Sequence, residues 1–231
     1  MAVEQLEAGY GLGCLEGPTD DRDFPIEDAY ALDAIDVDGL AIPATYVVPH
    51  RAPVLNQNGT PMCVAYSTSG LKSYQDRDDQ VPAKFWNFDE PAFFRAIGGS
   101  ANGAVLRYAL DRLLKVGYPV VGGVSPTSRH RIRGYYAVPK TLTGIKTAIL
   151  TYGELVLSSP WYHSWMHTTS AGVLPRPDYL IGGHAIIVDG WNATGIRLRN
   201  SWGTNWGLDG DCYMPNYYAL HAVREYWKAL D

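Results

Sequence analysis

Arg199-Asn200-Ser201-Trp202-Gly203-Thr204-Asn205-Trp206-Gly207 is the stretch whose reading decides the fold. Sixteen residues before its Asn200 stands an imidazole, in Gly182-Gly183-His184-Ala185-Ile186-Ile187-Val188. Far upstream stands a thiol, in Gln57-Asn58-Gly59-Thr60-Pro61-Met62-Cys63-Val64-Ala65-Tyr66-Ser67. A thiol, an imidazole and an amide in that chain order are the parts of a thiolate nucleophile, its proton partner and a group to orient that partner. They point to acyl transfer through a thioester.

The local sequence suits each part to its task. A free thiol titrates near about 8.5, and only the thiolate attacks well. Residues 41–62 hold Pro43, Pro49, Pro53, Asn58-Gly59 and Pro61, so they should be extended or turning. Proline then disappears, and residues 63–76 read as a helix starting at or just before Cys63. A helix N-terminus lowers a thiol pKa, and a protonated His184 beside it would lower it further. Asn200 is an uncharged partner for the second ring nitrogen. The tetrahedral intermediate needs donors at its oxyanion. The Cys63 N–H is one, and the Gln57 side-chain amide, six residues earlier, is a second. Losing one such donor typically costs about 3–4 kcal/mol of barrier.

Composition bounds the rest. The chain has 231 residues, 46% of them hydrophobic, enough for a packed core. No run approaches the roughly 18 apolar residues that span a bilayer, and the start of the chain lacks the basic flank and apolar centre of a signal peptide. Cytoplasmic location is the expectation, with no membrane partner. Residues 1–40 hold eleven Asp/Glu and one Arg, a balance of −10, and the remainder carries +5. That split marks an acidic arm, either solvated or docked on a basic body along the cleft, where it would limit access, and it disfavours nucleic acid as a partner. Three cysteines, Cys14, Cys63 and Cys212, make no disulfide framework; Cys14 and Cys212 are either free or paired with each other. His163-x-x-x-His167 has metal-like spacing, but no neighbouring Glu or Cys completes a site, so no metal and no cofactor is expected.

Along the chain, residues 1–40 read as irregular. Helices are expected at 104–116, with Leu106, Leu110, Leu113 and Leu114 in one stripe, and at 141–152, capped by Thr141 or Thr143. Strands are expected at 154–157, 184–188, 195–199 and 211–214, and a closing helix at 217–228. Helices in the first half and strands in the second make an α+β protein of two segregated layers, with a cleft between them.

With these residues in place, the chain resembles the papain family of cysteine peptidases. That family pairs a Gln six residues before its Cys with a Cys at a helix start, a Gly-His-Ala strand, and an Asn-Ser-Trp-Gly-x-x-Trp-Gly block. Gln57, Cys63, Gly183-His184-Ala185 and the Asn200 block match, and His184 and Asn200 follow Cys63 by 121 and 137 residues. The resemblance covers roughly residues 40–228 and implies an acidic arm over 1–40 and a catalytic domain over 41–231. The implied fold has a helical N-terminal half and an antiparallel β-rich C-terminal half, with the active-site cleft between them. Trp202 would shield the His184–Asn200 hydrogen bond, with Trp206 packed nearby. Asn102-Gly103 would pair with an extended peptide or protein substrate, and Gly183 would lie in the wall of a subsite.

The departures are local. Thr60 stands where the family has a disulfide cysteine, the partner position near Ala101 is also changed, Pro61 replaces a glycine and Val64 a tryptophan. Loss of both cysteines fits a reducing compartment. A similar N-terminus and Gly-Gly-His-Ala strand occur in bacterial and phage-encoded offshoots, so a virion is the other location implied. The same thioester could serve a transpeptidase or ligase, and the same fold could persist as a silent structural or binding part of a larger assembly.

Overall fold

The computed structural model describes residues 10–18, 20, 23–49, 51–79 and 85–231. In chain order the elements are β1 (Cys14–Leu15), α1 (Ile26–Leu32), β2 (Tyr46–Val47), α2 (Cys63–Gln75), α3 (Glu90–Ala96), β3 (Ala104–Val105) and α4 (Leu106–Lys115). There follow β4 (Gly134–Ala137), α5 (Leu142–Tyr152), β5 (Leu155–Tyr162), β6 (Leu180–Trp191), β7 (Gly195–Arg199), β8 (Asp211–Pro215), α6 (Asn216–His221) and β9 (Glu225–Leu230). Among the described residues no helix is long and apolar enough to cross a membrane.

The main sheet is antiparallel, in the order β4-β9-β5-β6-β7-β8, with β2 paired to one end of β6. Its central strands are apolar on both faces, so successive residues feed two separate cores. On β9, Tyr226 and Leu230 enter one core while Trp227 and Ala229 enter the other. On β5, Leu155 and Leu157 face the first and Val156 the second. The first core is closed by α1, α5 and the indoles of Trp161, Trp165, Trp202 and Trp206, and the second by α2, α3 and α4. This is the α+β arrangement expected from the sequence. The same alternation corrects the closing helix read at 217–228. Helix α6 ends at His221, and residues 225–230 form a strand between β4 and β5.

Helix α2 is buried on nearly every side, which explains its small residues. A Cβ added at Gly70 would stand 2.6 Å from Ile187 Cδ1, so glycine leaves room for that side chain between α2 and β6. Filling that contact would cost about 1–3 kcal/mol by overpacking. The approach sets the first residue of α2, Cys63, beside the strand that carries His184. Helix α5 begins as read from sequence, with Thr141 Oγ1 accepting from the Gly144 N–H at 3.0 Å, a cap worth about 1 kcal/mol. Helix α4 starts two residues later than its stripe suggests, because Ala104 and Val105 pair with β1.

The arm is not irregular throughout. Residues 26–32 form α1, preceded by Pro25, with Glu27 and Asp28 in its first turn. Ile26, Ala29 and Tyr30 fall at i, i+3 and i+4 and are buried in the first core. Two guanidiniums of the body hold the arm through bidentate pairs. Arg107 grips Asp23, and Arg133 binds Asp33 at 2.8 and 2.5 Å. Two of the arm's carboxylates, Asp23 and Asp33, therefore meet guanidiniums of the body directly. Residues 1–9, 19, 21 and 22 of the acidic stretch lie outside the described residues.

Candidate functional site

Cys63 opens α2 without a side-chain cap from Met62, so the first-turn N–H groups are left to the cleft. The Cys63 sulfur lies against β6, where the backbone N–H of Ala185 donates to it. His184, the preceding residue of that strand, is fully buried. Its Nε2 pairs with Asn200 Oδ1 at 2.8 Å, and its Nδ1 has no hydrogen-bond partner among the described residues. Asn200 follows the end of β7, next to β6 in the sheet. Its Oδ1 also accepts from the Ser201 N–H at 2.8 Å, and its own N–H is held by the Gly210 carbonyl at 2.9 Å. Two hydrogen bonds thus hold Asn200 in place before its amide meets the ring, and the strand end beneath is tied by Arg197 to Asp189 and by Arg199 to Asp211.

Gln57 reaches the same place by a different route. The Gln57 N–H donates to the Ser201 carbonyl at 2.9 Å, and Gly203 N–H to the Leu55 carbonyl at 2.9 Å. This short pairing lays the proline-rich lead-in beside the Asn200 block. Ser201 Oγ donates to Gln57 Oε1 at 2.7 Å, which turns the amide nitrogen toward the cleft. Trp202 lies over His184 with ring centroids 4.8 Å apart, and Trp161 meets the same imidazole edge-on at 4.7 Å. Trp206 packs at right angles on Trp202. Trp161 and Ser201 are contributions the sequence reading passed over. The register of Trp161 on β5, opposite Gly182, places it at the ring.

The cleft is filled by the chain's own residues 10–15. The Gly11 carbonyl accepts from Gln57 Nε2 at 3.1 Å and from Trp202 Nε1 at 2.9 Å. The Gly13 N–H donates to the Gly183 carbonyl at 3.0 Å, and its carbonyl accepts from the Ala104 N–H at 2.8 Å. Tyr10 stacks on Trp202 at 4.9 Å. β1 then pairs in parallel with β3. Gly183 and Gly103 are both brought to this segment, and Cβ atoms there would stand 2.0 Å from the Cys14 carbonyl oxygen and 1.9 Å from the Gly13 carbonyl oxygen. Asn102 is not; it sits exposed on the Ser100–Gly103 turn, and the pairing strip runs one position further along, through Ala104. Glycine is also required within the segment. A Cβ at Gly11 would be 2.0 Å from the Thr60 carbonyl oxygen, and at Gly13, where φ is +135°, 2.4 Å from that of Pro61.

That filling changes the charge state expected from the sequence. Burial pushes the Cys63 thiol up to about 12, against the N–H groups of Ala185, Val64 and Cys63 that draw it down. Burial also lowers His184 to about 4, against the Asn200 hydrogen bond that raises it. A thiolate and an imidazolium both need solvation or each other. With the segment in place the pair is neutral. All three cysteines are free and buried. Elsewhere, His163 pairs with Asp178 at 3.2 Å and stacks on Tyr179; among the described residues no group of three His, Cys, Asp or Glu could hold a metal ion.

No family model matches the chain. Among curated relatives, 92 residues are 32% identical to an uncharacterized peptidase C1-like protein of Acanthamoeba polyphaga mimivirus, covering 36% of this chain and 30% of that one. A stretch of 75 residues is 35% identical to cathepsin B-like cysteine proteinase 3 of Caenorhabditis elegans, covering 31% of this chain and 20% of that one. The chain thus matches less than a third of the length of these relatives. Among solved structures, xylellain, a cysteine protease from Xylella fastidiosa, superposes with a TM-score of 0.77 over 96% of both chains at 22% identity. The fold is papain-like.

Proposed function

We propose that this chain, whose fold is that of the papain family and whose matched relatives are papain-like peptidases, is itself a cysteine peptidase. The observation that carries the reading is the convergence of three elements on one point. The uncapped start of α2 presents the Cys63 thiol, β6 presents His184 with Nδ1 unpartnered, and Asn200 holds the opposite ring nitrogen. Cys63 passes its thiol proton to His184 Nδ1 and attacks the carbonyl carbon of a peptide bond. The oxyanion takes the Cys63 N–H and Gln57 Nε2, the latter released from the Gly11 carbonyl it now binds. His184 Nδ1 gives a proton to the departing amine, leaving a thioester on Cys63. The same nitrogen then draws a proton from water as it attacks the thioester. Asn200 keeps the ring aligned, and Trp161 and Trp202 keep water off the Nε2 hydrogen bond. Gly103, Ala104 and Gly183 offer the backbone that residues 13 and 14 now use, and an extended substrate would take their place.

On this reading the segment 10–15 is a cover, and the enzyme works when it lifts. The Cys63→Ala variant of a chain lacking residues 1–18 should lose turnover of every peptide and all labelling by a thiol-directed epoxide, while the parent truncation shows both. Hydrolysis surviving in the Cys63→Ala protein would sink the assignment. The filled cleft and the neutral pair favour one competing reading, a silent binding protein. A folded truncation that takes no label at Cys63 would establish it. Transfer to an amine in place of water uses the same thioester, and product analysis with an added amine separates the two.

A further inference from the structure

Cys14 is buried in the cleft, and its place can be fixed from the register of the sheet. Gly13 is sandwiched between the Pro61 backbone, two residues before Cys63, and Gly183, one before His184. The Cys14 side chain continues inward and joins the same apolar cluster as Cys63, Val156 and Ala185. Its thiol lies at Ser158, whose hydroxyl also bonds Glu225 Oε1 at 3.1 Å. Ser158 stands directly across the β5–β6 ladder from Ala185, and the Ala185 N–H is the group that meets the Cys63 sulfur. Cβ atoms of directly opposed residues are about 4.5–5.5 Å apart. The two sulfurs therefore share one pocket at this pair, and a disulfide between them requires their Cα atoms to come within about 7 Å. Burial pushes the Cys14 thiol well up, and the Cys63 sulfur adds to that rise, as expected for two sulfurs in one desolvated pocket.

We propose that Cys14 and Cys63 form a reversible disulfide that locks residues 10–15 over the cleft, making the cover a redox-sensitive switch. The oxidant is a low-molecular-weight disulfide. When the segment lifts, Cys63 becomes solvated, and its thiolate attacks that disulfide. The small molecule's S–S bond breaks, one thiol leaves with the proton, and a mixed disulfide stays on Cys63. The segment settles back, and the Cys14 sulfur attacks the Cys63 sulfur. The second small thiol leaves with the Cys14 proton. Two protein thiols are oxidised, and one small disulfide is reduced to two thiols. Excess thiol reverses both steps. Cys212 takes no part, because it is buried in the other core, on β8.

The effect on turnover rests on the peptidase reading, but the cross-link itself does not. Incubating the full chain with oxidised glutathione should yield a protein two hydrogens lighter, with no glutathione retained. Digestion without reductant should release the residue-14 and residue-63 peptides joined. Labelling of Cys63 by the epoxide should fall by at least about tenfold and return with dithiothreitol. The Cys14→Ser variant should instead keep glutathione on Cys63, and Cys212→Ser should behave like the parent. Glutathione retained on Cys63 of the parent, a Cys14–Cys212 link, or an unchanged mass would each overturn the lock. A protein that cross-links as described but hydrolyses no peptide after reduction, even when residues 1–18 are removed, would retain the lock and reject the peptidase.

Discussion

The two ends of the acidic arm are held by different physics. Residues 10–15 dock through backbone: four hydrogen bonds to the cleft walls, made by Gly11 and Gly13. Residues 23–33 dock through side chains. Ile26, Ala29 and Tyr30 enter the first core, and Asp23 and Asp33 take bidentate guanidiniums. A backbone hydrogen bond exchanged with water contributes about 0.5–1.5 kcal/mol net, and a fully buried large apolar side chain about 1.5–3 kcal/mol. On the proposed reading the first segment is a removable cover, whereas the second is packed into the first core. The boundary at residue 40, drawn from charge and from the extent of the resemblance, lies beyond both. The division the packing makes lies between β1 and α1.

Two truncations test that division and carry the largest expected effect. Removing residues 1–18 takes away the cover and leaves α1 in place. Removing residues 1–38 also takes Ile26 and Tyr30 from the core and strips Asp33 from Arg133 and Tyr152. Loss of Leu12, Ile26 and Tyr30 together is worth roughly 5–8 kcal/mol, comparable with the whole stability of an ordinary domain. The shorter truncation should therefore give a cooperative thermal transition and epoxide labelling at least about tenfold faster than the full chain. The longer one should aggregate or melt without cooperativity. Equal melting temperatures for the two would remove the distinction.

Much of this was legible in the sequence, for a reason that also explains what was not. Gln57, Cys63, His184 and Asn200 sit in short local frames, and the strand and helix periods around them are strong. Helix α5 even shows its Thr141 cap. The closing strand β9 was hidden because Tyr226, Trp227, Ala229 and Leu230 are buried on both faces, and a continuous apolar run does not distinguish strand from helix. Helix α1 was hidden by the acidic and glycine-rich residues around it, although Ile26, Ala29 and Tyr30 carry the helical spacing. The filling of the cleft was least legible. Charge suggested an arm on a basic body, but what docks at Cys63 is Gly-Leu-Gly-Cys, with no charge at all. Glycines chosen for close approach look, in sequence, like glycines in a loop. The same blind spot hid the neutral state of the covered pair. Dipole and imidazolium arguments for an open cleft do not include the desolvation that a cover imposes.

That desolvation gives the second prediction, which compares the covered and uncovered states of one site. Burial holds Cys63 at about 12 and His184 at about 4. Truncation at residue 18 returns water to both, so the Cys63 pKa falls and the His184 pKa rises. Alkylation by iodoacetamide, followed against pH, should shift its midpoint down by several pH units in the truncated chain. The sign for the full chain follows from His184. An imidazole in water titrates near about 6.5, so between 6.5 and about 4 the covered state binds fewer protons than an uncovered state in which the ring is solvated and Cys63 keeps its proton. Covering is favoured above that window and is lost as pH falls through it. Epoxide labelling of the full chain, compared with that of the truncation at each pH, should therefore approach parity as the solution is acidified from 6.5 toward 4. A ratio independent of pH would mean that His184 is not the group desolvated by the cover.

The smallest effect distinguishes backbone docking from side-chain docking within the cover. Gly13 combines a φ of +135° with a Pro61 carbonyl oxygen 2.4 Å from where a Cβ would stand. Alanine there meets both the strained backbone region and a fixed atom, a penalty of order 1–3 kcal/mol. None of it falls on the uncovered state, in which residue 13 is free to relax. By the rule that about 1.4 kcal/mol is tenfold, Gly13→Ala should shift the balance toward the uncovered state by roughly 5- to 100-fold. Labelling should accelerate accordingly, with no loss in melting temperature beyond that of the truncation at residue 18. Gly39→Ala is the matched control on the other part of the arm. Its φ is not in the left-handed region and nothing lies within 4 Å of the added carbon, so its labelling rate should equal that of the parent. If both alanines leave the rate unchanged, the cover is held by Tyr10, Leu12 and Cys14 rather than by the glycine backbone, and the contrast between the two ends of the arm collapses into one of degree.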